Sequence, residues 1–108
     1  QNMPNLQSLD LSSNKISTIN PDAFFNLKKL EHLDLSSNEI SSIDSNTFES
    51  LFGLKSLDLS NNLIEVLNPN QFKGLKNLHS LFLSENKIKS IDNESFKHLE
   101  NLNSLSLN

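Results

Sequence analysis

Leu6, Leu30, Leu54, Leu78 and Leu102 stand 24 residues apart, and the same apolar positions recur behind each of them. The units run 6–29, 30–53, 54–77 and 78–101, with LNSLSLN at 102–108 matching the start of another and residues 1–5 reading as the tail of a preceding one. A unit this short cannot enclose a core of its own. Self-similarity at this period therefore predicts a solenoid, one segment over residues 1–108, in which each unit buries its apolar side by stacking on its neighbours.

Within a unit the periodicity changes. Leu9 and Leu11 alternate with Ser8, Asp10 and Ser12, the period-two pattern of a short strand with one buried face. Equivalent strands center on Leu33, Leu57, Leu81 and Leu105 and follow one another in the same direction, which predicts a parallel sheet lining the inside of a curve. An asparagine follows each complete strand: Asn14, Asn38, Asn62 and Asn86. Its amide both donates and accepts, so a buried column of them can satisfy backbone groups where the chain leaves the sheet.

The return path carries Ile16, Ile19, Phe24 and Leu27 and their equivalents, the last set being Ile88, Ile91, Phe96 and Leu99. Spacings of three, five and three fit no long amphipathic helix, so extended segments and one short helical turn are expected on the convex side. The phenylalanines should stack as a spine. Their period is that of the repeat, so they read as core and not as a cofactor box. Asn20-Pro21 and Asn68-Pro69, replaced by Asp44-Ser45 and Asp92-Asn93, are turn residues.

These residues follow the pattern LxxLxLxxNxIxxIxxxxFxxLxx, and over essentially its whole length the chain resembles the leucine-rich-repeat family, close to its 24-residue "typical" subclass. The resemblance implies an α/β-type repeat: a right-handed solenoid with a concave parallel β-sheet and a mostly irregular or short-helical convex side. It also implies use as a protein-recognition scaffold, commonly within extracellular receptors, adhesion proteins and matrix proteins. Ectodomains of this kind usually carry cysteine-bearing caps, and this chain has none, so it is expected to be a segment of a longer array. Uncapped ends make self-association through them an expectation as well.

Composition narrows the functional classes. All nine cations are lysines, with no arginine, no basic runs and a net charge of −4, which argues against nucleic-acid binding. No segment approaches the roughly 18–20 apolar residues that a membrane span needs. Zero cysteine removes thiolate catalysis, cysteine-ligated metals and disulfides together. His32, His79 and His98 occupy different columns, and an open serine-rich sheet supplies no oriented base or oxyanion site, so neither an enzyme nor a cofactor is expected.

The candidate contact residues are those that face solvent from the sheet. Between the strand leucines lie Asp10, Asp34, Asp58, Phe82 and Ser106. Aspartates about 4.8 Å apart repel by less than about 1 kcal/mol per pair in water, so the column can be an ordinary solvated ladder, a patch for a basic partner, or a calcium site. Phe82 replaces this column with a large ring on a wet face. That marks either a partner contact or packing against a concave neighbor or another part of the parent protein. Together with His32 and Glu85 these form the expected partner-binding set.

Leu63 with Val66, and Phe25 with Phe52, are smaller candidates. Asn93-Glu94-Ser95 is a glycosylation sequon expected on the convex surface and used only in a secretory setting. The functional expectation is a protein-binding module of an extracellular or cell-surface parent, recognising a protein ligand or co-receptor through its concave sheet. The alternative is structural: spacer repeats, or an engineered consensus-like scaffold without its own ligand. The absence of Trp, Tyr and Arg favours that alternative.

Overall fold

Alternating leucine and polar residues give each turn of the chain a strand of three residues, and the computed structural model describes residues 5–92 and 94–107. In chain order the strands are β1 (Ser8–Asp10), β2 (His32–Asp34), β3 (Ser56–Asp58), β4 (Val66–Leu67), β5 (Ser80–Phe82), β6 (Ser90–Ile91) and β7 (Ser104–Ser106). Five of them form one parallel sheet in the order β1-β2-β3-β5-β7. Each pairs in register with its equivalent, so that Leu9, Leu33, Leu57, Leu81 and Leu105 align across the sheet. The pair β4 and β6 is a short second sheet on the return path, which the sequence pattern did not announce.

The asparagine column works as its chemistry requires. Asn62 Nδ2 donates to Leu59 O and Ser60 O of its own turn and to Leu35 O of the preceding one, at 3.0, 3.2 and 3.0 Å. Its Oδ1 accepts from Ile40 N at 3.0 Å. Asn38 and Asn86 repeat this arrangement, the former reaching Leu11 O and the latter Leu59 O. Among the described residues Asn14 bonds only within its own turn, and it is exposed. Just before each asparagine the backbone turns left-handed at Ser13, Ser37, Asn61 and Glu85, with φ of 56–57°. No glycine occupies these places, so every turn holds one residue in a conformation that L-residues disfavor.

The convex side is irregular. Its i→i+3 bonds come at every second or third residue, as in Ala23 N to Asn20 O, Phe25 N to Asp22 O and Leu27 N to Phe24 O. Such bonds never run consecutively, so turns form where one helical turn was expected, and there is no helix among the described residues. The bends begin with a side-chain clamp: Asn20, Asp44 and Asp92 each accept, through Oδ1, the N–H two residues on at 2.8 Å.

Packing deepens toward the middle turns. Leu33, Leu57, Leu81, Phe48, Phe72, Leu51 and Leu75 are buried, whereas Leu6, Leu9, Leu11, Ile88 and Leu102 are only partly covered. Ile91 and Leu105, expected in the core, are 42% and 40% exposed, since among the described residues no further turn stacks on them. The phenylalanine spine is made of two stacked pairs: Phe24 with Phe48 at 6.3 Å between centroids, and Phe72 with Phe96 at 6.2 Å.

A second polar column lies inside the convex side. Gln71 Nε2 donates to Ile43 O at 2.6 Å and Ser95 Oγ to Leu67 O at 2.8 Å, each tying a turn to its predecessor. Thr47 is equally buried at the equivalent place, and Ala23 stands there in the first turn. Gly74, with φ of 96°, presses its Cα against the Glu49 backbone so closely that any Cβ would overlap the Glu49 carbonyl.

Candidate recognition face

Alternation along each strand turns the leucines inward and leaves Asp10, Asp34, Asp58, Phe82 and Ser106 aligned on the concave side. The aspartates have a local task. Asp10 Oδ1 accepts from Ser12 N at 2.9 Å and Ser12 Oγ at 2.6 Å, and Asp34 accepts the same pair from Ser36 at the same distances. Asp58 accepts Ser60 N at 2.9 Å. Each carboxylate thus caps the end of its strand with one oxygen. The Ser12 hydroxyl and then its N–H stabilise the charged form of Asp10 and hold its carboxyl below the ordinary aspartate range.

Phe82 gives up this cap. Its ring cannot accept the Ser84 N–H, and the Ser84 hydroxyl pairs instead with the Ser106 hydroxyl of the next strand at 2.5 Å. The ring is half-buried and borders a shallow concave hollow of about 260 Å³ with Asp10, Asp34, Asp58, Ser8, His32 and Ser56. Five of the six expected contact residues therefore meet around one hollow. Glu85 does not line it: it lies beyond the strand, exposed, in the left-handed turn. Beside the hollow, Lys55 pairs with Glu31 at 3.7 Å, which leaves the carboxylates as the dominant charge.

The three histidines lie apart. His32 is on β2, the His79 carbonyl receives Asn103 N and Ser104 N, and His98 Nε2 is 3.1 Å from Asn70 Oδ1 on the convex side. Among the described residues Phe25 and Phe52 are the most exposed large apolar ones, at 59% and 51%, and border one convex hollow with Pro21, Asp22 and Glu49. Leu63 and Val66 are also exposed. Asn93 lies outside the described residues.

Two features escaped the sequence reading. Asp-x-Ser in LDLS is a side-chain cap signature, and it could have identified the aspartate column as part of the folding plan. The short polar residues Thr47, Gln71 and Ser95 looked like surface, and only their recurrence at one place per repeat hinted at burial.

No curated protein matches the sequence. Among solved structures, a chain of the Drosophila Toll–Spatzle complex superposes with a TM-score of 0.87 at 29% identity, over 90% of this chain and 13% of that one. The leucine-rich repeat domain of APL1 superposes with a TM-score of 0.80 at 29% identity, over 89% and 25% of the two chains. That of APL1B gives 0.90 at 24% identity over 94% and 30%, a likeness of fold alone. This chain spans less than a third of each neighbor. The leucine rich repeat model matches residues 4–64, 32–86 and 52–108, and with the asparagine column and the parallel sheet in place, the chain belongs to the leucine-rich-repeat family.

Proposed function

We propose that this chain is a protein-recognition segment of a larger extracellular or cell-surface receptor or adhesion protein, binding a protein partner through its concave sheet. Phe82 is the apolar anchor of that contact, and Asp10, Asp34 and Asp58 favour a partner surface of positive charge. The observation that carries this reading is the cap missing at Phe82. Three strands keep an aspartate that secures the strand end, and the fourth carries a half-buried ring in its place. A large apolar ring that replaces a capping carboxylate on a solvent-facing position is the kind of departure that a contact from outside explains. The larger solved neighbours support the wider setting, one of them having been solved as a complex.

The role is binding and not catalysis: the sheet is ordered before contact, so little conformational entropy is lost on association. Once a partner is in hand, Phe82→Ala weakens it about tenfold or more, as truncating an aromatic anchor does. Asp34→Asn with Asp58→Asn slows association and flattens its salt dependence. Phe82→Asp restores the cap, keeps the fold and loses the partner. Unchanged affinity across all these variants, measured by surface plasmon resonance, would sink the assignment.

The structural reading has its own support in the absence of Trp, Tyr and Arg. Spacer repeats would tolerate every concave substitution while still failing on core ones.

A further inference from the structure

On the convex side the exposed rings of Phe25 and Phe52 border one hollow of about 320 Å³ between the first and second turns, together with Asp22, Asn46, Glu49 and Ser50. Both rings stand in columns that are charged elsewhere. Phe25 is where later turns carry Glu49, Lys73 and Lys97, and Phe52 is where other turns carry Lys28, Lys76 and Glu100. Phe52 has a turn on either side of it and is still half exposed, so its exposure is not that of an end. Its N–H donates to Ser50 O at 3.0 Å and its carbonyl accepts Asn77 Nδ2 at 2.7 Å, which holds the base of the ring before anything docks. The next two turn boundaries show what the same place in the repeat holds. Asn46 Oδ1 accepts from Lys73 Nζ at 3.2 Å, with Glu49 Oε2 3.6 Å from the same ammonium, and Asn70 Oδ1 lies 3.1 Å from His98 Nε2. In each case a side-chain nitrogen of the following turn reaches back. At the first boundary Asp22 stands where those asparagines stand, and the positions of Lys73 and His98 are filled by Glu49 and Ser50. A full negative charge thus sits where its counterparts meet a nitrogen, and among the described residues no ion pair reaches it.

We infer that this convex hollow is a second contact surface and takes an arginine side chain of a protein partner. The guanidinium supplies the cation that the second turn lacks and donates to the Asp22 carboxylate, while its flat face and apolar stem lie against Phe25 and Phe52. Arginine suits the place better than lysine, because a planar, weakly hydrated cation can both stack on a ring and fork to a carboxylate. The volume fits one long side chain, being at the lower end of that of pockets that enclose a whole small molecule. This segment has no arginine, so a second copy of it is not the source. Glu49 brings another carboxylate, but Lys73 already offsets its charge, which leaves Asp22 as the principal anchor.

The probe is N-acetyl-arginine amide, titrated into the chain while the ring signals of Phe25 and Phe52 are followed by carbon–proton NMR and the fold of each variant is checked by circular dichroism. Both rings shift and saturate with a Kd on the order of 10 mM, the scale of a single exposed cation contact. Asp22→Asn weakens the probe about threefold or more. Phe52→Lys installs the residue that the turns on either side carry, so it keeps the fold, and it abolishes the shift at Phe25. N-acetyl-citrulline amide, of the same shape without the charge, leaves the rings unmoved, and Asp34→Asn on the concave sheet changes nothing. Rings that do not shift, an Asp22→Asn chain that binds as well as the parent, or a citrulline probe equal to the arginine one overturns the inference. Choline binding more tightly than the arginine probe also overturns it, since the hollow then takes a quaternary ammonium headgroup. Neither Phe82 nor the concave aspartates take part, so the two faces stand or fall separately.

Discussion

Replacing Asn62 with alanine should cost far more stability than the same change at Asn14, and the hydrogen bonds say by how much. Asn62 Oδ1 is the acceptor for the buried Ile40 N–H, which loses its partner on substitution. An orphaned buried donor costs about 1–3 kcal/mol. Leu35 O and Leu59 O each keep one donor, from Asn38 and Asn86, so they lose a bond without being orphaned. A lost bond of that kind costs about 0.5–1.5 kcal/mol, which brings Asn62→Ala to about 2–6 kcal/mol in total. At Asn14 the comparison runs the other way. Leu11 O still receives Asn38 Nδ2, Ser12 O faces water, and the side chain is exposed. The expected loss there is below about 1 kcal/mol. Urea unfolding followed by circular dichroism reads both, and a slope of about 1–3 kcal/mol/M makes the Asn62 shift about 0.7 M or more. If the two variants unfold at the same urea concentration, the asparagine bonds between turns do not hold the solenoid together as argued.

Gly74→Ala should destabilise by about 2 kcal/mol or more, because the added methyl meets the Glu49 backbone and φ is 96°; a thermal melt shows it, and an unchanged melting point contradicts the close approach. Glu85→Asn should stabilise by up to about 1 kcal/mol, since asparagine tolerates the left-handed turn and Asn61 already fills that place one turn earlier. In acid, Asp10 should titrate below the ordinary aspartate range by carbon-detected NMR, and Ser12→Ala should bring it only part of the way back, because the Ser12 hydroxyl is lost while the backbone N–H at that position still donates. The sign follows from the direction of this shift: the cap stabilises the fold above the unfolded-state pKa and is lost as pH falls through the lowered folded-state value.

Much of this architecture was legible because the repeat reports each position four times. The leucine columns, the register of the large sheet and the asparagine column all follow from recurrence combined with the chemistry of one side chain. What recurrence could not reveal were features carried by the backbone. Ser13, Ser37, Asn61 and Glu85 share a left-handed φ and no common side chain, so no residue type marked the position. The β4–β6 pair joins Val66 to Ser90 and Leu67 to Ile91, residues whose pattern speaks of core and surface and not of pairing. Ile91 followed the pattern of a core residue and yet is exposed, because in a solenoid burial depends on a neighboring turn as well as on residue type. On the concave face, alternation placed Asp10, Asp34, Asp58, Phe82 and His32 on one side, where the structure has them. The aspartates read as a charged ladder until the serine bonds gave them a folding role, and that role made Phe82 the strand position without such a cap.

The inward and outward residues of each strand also bear on how far a change to this surface reaches into the fold. Leu81 and Leu83 stay fully buried on either side of Phe82, although the residue between them has lost its cap. An outward position meets its counterparts one turn away in either direction and leaves the inner layer untouched. A substitution at an outward position therefore reshapes the concave surface one residue at a time, with its cost confined to a single strand end.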